Sequence, residues 1–118
     1  MKVLIYHNPR CAKSRQALNL LKETTDHEPE VHLYLERGLS RDEILGIKSK
    51  LGVELITMMR PKVKEFKELE LSKSSSDEQL IEGLIKCPKL LERPVLIAND
   101  NAVIGRPLEK VEDFVKQL

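Results

Sequence analysis

The sequence predicts one α/β domain built on a mixed sheet. Three observations carry this: an apolar strand that runs into turn residues and then a helix, a middle stretch punctuated by helix-capping signals, and two late apolar runs joined by a polar turn. At 118 residues, with 41% hydrophobic and 33% charged residues, the chain has the size of a single domain whose core needs neither disulfides nor structural metal. Residues 1–118 are accordingly expected to form one domain.

Val3-Leu4-Ile5-Tyr6 is a continuous β-prone run ending at Asn8-Pro9, which reads as a buried strand entering a loop. From Cys11 to Glu23, Ala17, Leu18 and Leu21 share one face and predict a helix. A second strand is expected at Val31 to Leu35, completing a β-α-β unit of the kind that builds parallel sheet. Ser40 with Glu43 is a capping-box signal, Ile44, Ile47, Lys48 and Leu51 follow at helical spacing, and Gly52 supplies a stop. Ser76 with Gln79 repeats the device before Leu80, Ile81, Leu84 and Ile85. Between these helices the charged stretch Arg60 to Ser76, ending in three serines, is expected to be an exposed, mobile connection. Sheet returns at Pro94 to Ala98 and Ala102 to Gly105, around Asn99-Asp100-Asn101. Leu108, Val111, Phe114, Val115 and Leu118 then mark an amphipathic closing helix. This order is that of a thioredoxin-like fold: a four-stranded mixed sheet with a helical insertion, about residues 40–87, between its second and third strands.

Charge and cysteine usage narrow the function. Lys and Arg total 20 against 19 for Asp and Glu, which argues against a nucleic-acid binder working through bulk charge. Cys11 and Cys87 lie far apart with no Cys or His at zinc spacing, so neither a disulfide scaffold nor a metal site is expected. His27 and His32 lack a neighbour at ligand spacing and receive no role. The first residues are too short in apolar character for a signal-peptide core, and no apolar run reaches the roughly 18 residues of a spanning helix. A cytoplasmic protein with reduced thiols and no membrane association is the expectation.

Cys11 sits between the first strand and its helix, where the unsatisfied N–H groups of a helix start favour a thiolate. Lowering a thiol pKa from about 8.5 to about 6.5 takes roughly 2.7 kcal/mol, whereas a helix terminus supplies about 1. Other groups must contribute. His7, Arg10, Lys13 and Arg15 lie within four residues, and Ser14 could donate its hydroxyl from one turn away. A buried packing cysteine is the alternative; the cationic, polar setting favours a reactive one. Cys87 follows an apolar helix and precedes Pro88, which suits packing.

Three arginines directly precede prolines: Arg60-Pro61, Arg93-Pro94 and Arg106-Pro107. Random placement of seven arginines and six prolines would give fewer than one such pair. Proline ends regular structure and stiffens the residue before it, so each arginine should project from a junction. The planar guanidinium matches tetrahedral oxyanions bidentately, and together with a thiolate such arginines would neutralise a substrate that otherwise repels the nucleophile. A phosphatase-type Cys-x5-Arg loop is excluded because position 17 is Ala17, and a Cys-x-x-Cys dithiol is excluded by Ser14.

His7-Asn8-Pro9-Arg10-Cys11-Ala12-Lys13-Ser14-Arg15 resembles the active-site loop of the glutaredoxin-coupled arsenate reductases, His-Asn-Pro-x-Cys-x-x-Ser-Arg. The resemblance continues through Leu33-Tyr34-Leu35-Glu36, Ser40-Arg41-Asp42-Glu43, Met58-Met59-Arg60, Glu92-Arg93-Pro94 and Gly105-Arg106-Pro107-Leu108-Glu109. It implies a thioredoxin-like fold, a catalytic Cys11, oxyanion-handling Arg60, Arg93 and Arg106, and His7 in the active site. His7, Ser14 and Arg15 would support the thiolate and its anion. It also implies a cis bond at Arg93-Pro94. By this resemblance arsenate is reduced through a Cys11 adduct that glutathione resolves as co-substrate, glutaredoxin then removing the glutathionyl group; no cofactor is bound. Two alternatives stand beside it: a glutathione-dependent thiol oxidoreductase with another substrate, and a redox regulator that binds RNA polymerase. Members of the latter kind carry Cys-x-x-Cys here, against which Ser14 argues.

Overall fold

In the computed structural model, which describes residues 3–24 and 28–118, the residues group into two compact units, 3–37 with 93–118 and Gly38–Glu92. His27 lies outside the described residues.

The sheet of the first unit has the order β2-β1-β3-β4. β1 (Val3–Tyr6) pairs in parallel with β2 (Glu30–His32) and antiparallel with β3 (Val95–Ala98), which in turn pairs antiparallel with β4 (Asn101–Ile104). Placing Val3 opposite Ala98 and Ile5 opposite Leu96 puts all four side chains on one face. That face is covered by Ala17 and Leu21 of α1 (Ala12–Thr24) and by Val111 and Phe114 of α6 (Leu108–Lys116), giving the unit its core. Asn99, at φ 56°, turns the β3–β4 hairpin. Gly105 closes the same corner because a Cβ there would meet Val111 at 2.7 Å and Pro94 at 3.0 Å. The bonds Arg93-Pro94 and Arg106-Pro107 are both cis.

The second strand is shorter than the residues suggest. It ends at His32, and the Leu33 carbonyl accepts from the N–H groups of Glu36 and Arg37, so Tyr34–Arg37 closes into the short helix α2. Tyr34 is β-prone, but burial in that turn overrides the propensity.

In the second unit, α3 (Arg41–Leu51) and α5 (Asp77–Lys86) each begin with a complete capping box, Ser40 with Glu43 and Ser76 with Gln79. Gly52, left-handed at φ 66°, stops α3 by donating to Lys48. Arg41 and Glu78 form an ion pair between the two helix starts. Ile44, Ile47, Leu80, Ile81 and Leu84 line the interior with Leu55 and Met58 of a 3-10 turn. The stretch from Arg60 to Ser76 is not an unstructured connection. It contains the short helix α4 (Lys64–Glu68), anchored by buried Phe66, and its serines are tied by Ser72 and Ser75 hydrogen bonds. Among the described residues no helix is long and apolar enough to cross a membrane.

Candidate active site

In the first unit the site is built where β1 gives way to α1. The His7 N–H donates to the His32 carbonyl at 2.9 Å, extending the β1–β2 ladder by one residue. The chain then turns. The Cys11 N–H donates to the Asn8 carbonyl at 3.0 Å, and the Arg10 N–H to Asn8 Oδ1 at 3.0 Å. Because the Cys11 carbonyl accepts the first helical bond, from Arg15 at 3.0 Å, Cys11 occupies the cap position of α1. Its sulfur stands where a capping oxygen would stand, receiving the N–H groups of Lys13 and Ser14.

Burial alone would push the Cys11 thiol up. The Ser14 N–H, the charge of Arg93, the Lys13 N–H and a hydrogen bond from the Arg93 side chain outweigh it, and the thiol lies below its ordinary value. The cation beside the sulfur is therefore Arg93, from the junction before β3, and not one of the cations near Cys11 in sequence. Arg15 is exposed and turns back, Nη1 donating to the Pro9 carbonyl at 2.8 Å. His7 is 6% exposed; burial first, then the charges of Lys22 and Arg15, hold its imidazole below the ordinary range, so it is neutral near pH 7.

Ser14 serves differently from the expected hydroxyl donor to sulfur. Its side chain is fully buried, hydrogen-bonded to His7 Nδ1 at 2.6 Å while accepting the Asn8 N–H at 3.0 Å. The contribution of Ser14 to Cys11 comes through its backbone. The reason is geometric: a hydroxyl on the first turn can satisfy the incoming loop, whose buried N–H would otherwise be costly.

Beside this loop lies a cleft of about 400 Å³, lined by His7, Asn8, Pro9 and Arg10 on one side and by Leu33, Leu35 and Glu36 on the other. The second wall escaped the sequence reading, which had Leu33 to Leu35 in a strand. Arg106 lies just beyond β4 and is exposed. His32 packs its ring against Tyr6, centroids 4.8 Å apart. Both cysteines are free thiols.

In the second unit, Arg60 donates from its N–H to the Leu90 carbonyl at 2.8 Å and from Nη1 to the Lys89 carbonyl at 3.3 Å. Cys87 is half-buried at the end of α5, its N–H donating to Gly83. Among the described residues no group of three His, Cys, Asp or Glu side chains could hold a metal ion.

A sulfur whose thiol is lowered beside a guanidinium is suited to attack the central atom of a bound oxyanion. Comparison with known proteins points the same way. Residues 6–114 match the ArsC family. The chain is 48% identical over 116 residues to the uncharacterized protein YfgD of Escherichia coli, covering 97% of each. It is 42% identical over 117 residues to the arsenate reductase of Haemophilus influenzae, covering 98% of this chain and 100% of that one. Among solved structures, the arsenate reductase from Vibrio cholerae superposes with a TM-score of 0.90 at 42% identity, covering 96% of this chain and 97% of that chain.

Proposed function

The chain belongs to the ArsC family, and from that premise we propose that it reduces arsenate to arsenite, with Cys11 as nucleophile. The observation that carries this is the Cys11 sulfur capping α1 opposite Arg93, with its thiol lowered by both. Arsenate is held by Arg93 and Arg106, with Arg60 as the third arginine, each guanidinium offering paired N–H donors. The Cys11 thiolate displaces one arsenate oxygen as water, forming a sulfur–arsenic(V) bond. Glutathione thiolate then attacks the Cys11 sulfur; the sulfur–arsenic bond breaks, its electron pair stays on arsenic, and arsenite leaves. The resulting mixed disulfide passes its glutathionyl group to glutaredoxin, which restores Cys11. No bound cofactor takes part, and the setting is a cytoplasm that supplies both thiols.

An external resolving thiol suits this loop, because the position three residues after Cys11 is the buried Ser14. His7 stays neutral and, with Ser14 and Arg15, fixes the loop.

The test is arsenate-dependent NADPH oxidation with glutathione, glutathione reductase and glutaredoxin. Saturable turnover above the no-arsenate control is expected. Its absence would move the assignment to a glutathione-dependent thiol oxidoreductase with another substrate, and saturable binding to RNA polymerase would move it to a regulator.

A further inference from the structure

The cleft beside the cysteine loop has two walls that part from one hydrogen bond. The His7 N–H on the His32 carbonyl joins the loop to the end of β2, and Leu33, the next residue, opens the opposite wall. Each wall is held by bonds of its own. Asn8 Oδ1 fixes the Arg10 N–H and Arg15 Nη1 holds the Pro9 carbonyl, while the Leu33 carbonyl holds the N–H groups of Glu36 and Arg37. Pro9, Leu33 and Leu35 supply an apolar lining, and the volume of about 400 Å³ is that of a cleft for a small ligand.

Three polar groups stand open on this lining. The Arg10 guanidinium on one wall and the Glu36 carboxylate on the other have no hydrogen bond or ion pair among the described residues, not even with each other. The third belongs to His7. The fully buried Ser14 hydroxyl already accepts the Asn8 N–H, so its own proton goes to His7 Nδ1 at 2.6 Å, the acceptor it has. The ring proton therefore sits on Nε2, which has no partner among the described residues and is not sealed from solvent.

We propose that this cleft seats the resolving thiol, with Arg10 taking a carboxylate of glutathione, Glu36 its ammonium, and His7 Nε2–H a peptide carbonyl between them. This rests on the reading of glutathione as co-substrate. A tripeptide with a cation at one end, carboxylates at both and a short apolar stem matches a cleft with opposite charges on its two walls. Arg10 directly precedes Cys11, so a thiol seated against it is delivered to the adduct. Its thiolate forms the S–S bond to Cys11 as the sulfur–arsenic electron pair returns to arsenic.

The test measures formation of the Cys11 mixed disulfide by mass, in one turnover with saturating arsenate, across a range of glutathione concentrations and with glutaredoxin left out. Glutathione is a net anion, so long-range charge alone would weaken its binding in Arg10→Met and tighten it in Glu36→Gln. Seating predicts the same direction for both: half-saturating glutathione rises about three- to fivefold in each, the range an exposed pair can couple. Arg37→Met, a neighbouring cation off the lining, should match the parent. Glutathione lacking its amino group should bind the parent more weakly and be indifferent to Glu36→Gln. The rate with 2-mercaptoethanol, which reaches neither charge, should be the same in all four proteins. Unchanged or opposite shifts in the two cleft variants, or equal slowing with 2-mercaptoethanol, would overturn the proposal. If the parent turns arsenate over without glutathione, or not at all, the functional reading fails first. Nuclear magnetic resonance with S-methylglutathione then judges the cleft without turnover: shifts at residues 7–10 and 33–36 that weaken in both variants support it, and shifts elsewhere or none overturn it.

Discussion

The first turns of α3 and α1 present the same unsatisfied N–H groups, and the chain closes one while leaving the other chemically open. In α3, Ser40 takes the Glu43 N–H and the Glu43 side chain takes the Ser40 N–H, so both donors of the box have a fixed oxygen partner. In α1 the residue at the cap is Cys11, and the residue three further on is Ser14, which reaches past the cap to His7 and Asn8 instead of back to Cys11. The cap N–H is satisfied by the Asn8 carbonyl. The helix start thus keeps its donors aimed at a sulfur that can still react. An oxygen cap contributes stability; a sulfur cap in the same place contributes a nucleophile.

The sharpest way to break that contrast is to make the two starts alike. Cys11→Ser installs an ordinary cap, so thermal stability should hold or rise while arsenate turnover falls by at least about a thousandfold, since a serine hydroxyl stays protonated without a strong base. Retained turnover would remove the nucleophile from the mechanism. Next in size, Arg93→Lys and Arg106→Lys should each lower turnover about a hundredfold with little change in melting temperature, while Arg37→Lys behaves as the parent. Iodoacetamide titration refines the Arg93 result. The parent rate should level off below the ordinary thiol range near 8.5, and Arg93→Met, by removing the cation that favours thiolate, should move that plateau to higher pH. By linkage, the stability contributed by the lowered thiol is present above the unfolded value and is lost as pH falls through the folded one.

Ser14→Ala tests what holds the open cap in shape. It strips two partners from a buried cluster and should cost about 1 to 3 kcal/mol, with Cys11 alkylation at neutral pH slowing severalfold; an unchanged alkylation rate would separate the loop from the reactivity. Smallest, Ser40→Ala and Ser76→Ala should each cost about 1 kcal/mol in chemical denaturation and leave turnover unaltered.

The capping boxes and the β1 strand were legible because their signals are local: a serine and a glutamate three apart, or four apolar residues before Asn8-Pro9. The same locality misled elsewhere. Val31 to Leu35 looks like strand by propensity, yet the Leu33 carbonyl captures two N–H groups and starts α2. In α4 one buried aromatic, Phe66, stands among Lys64, Glu65, Lys67 and Glu68, too little periodicity to separate a short helix from a charged connection. At the site, Cys11 was nameable from loop chemistry, and Arg93, which the structure sets beside its sulfur, from the Arg-Pro excess. Which cation faces the sulfur was not. Arg93 arrives through strand pairing, while nearby Arg15 is committed to the Pro9 carbonyl and buried His7 is neutral.

Tyr6 faces Val95 at the last rung of the β1–β3 pairing, so the cysteine loop leaves one inner strand at the level where the Arg93-Pro94 junction enters the next. Amides between two inner strands exchange with deuterium chiefly when the whole sheet opens. The Cys11 sulfur and its guanidinium are thereby fastened to the part of their unit expected to exchange last, and heat inactivation should follow loss of the sheet without an earlier phase. Fraying at the outer strands β2 and β4 can proceed while sulfur and cation keep their spacing.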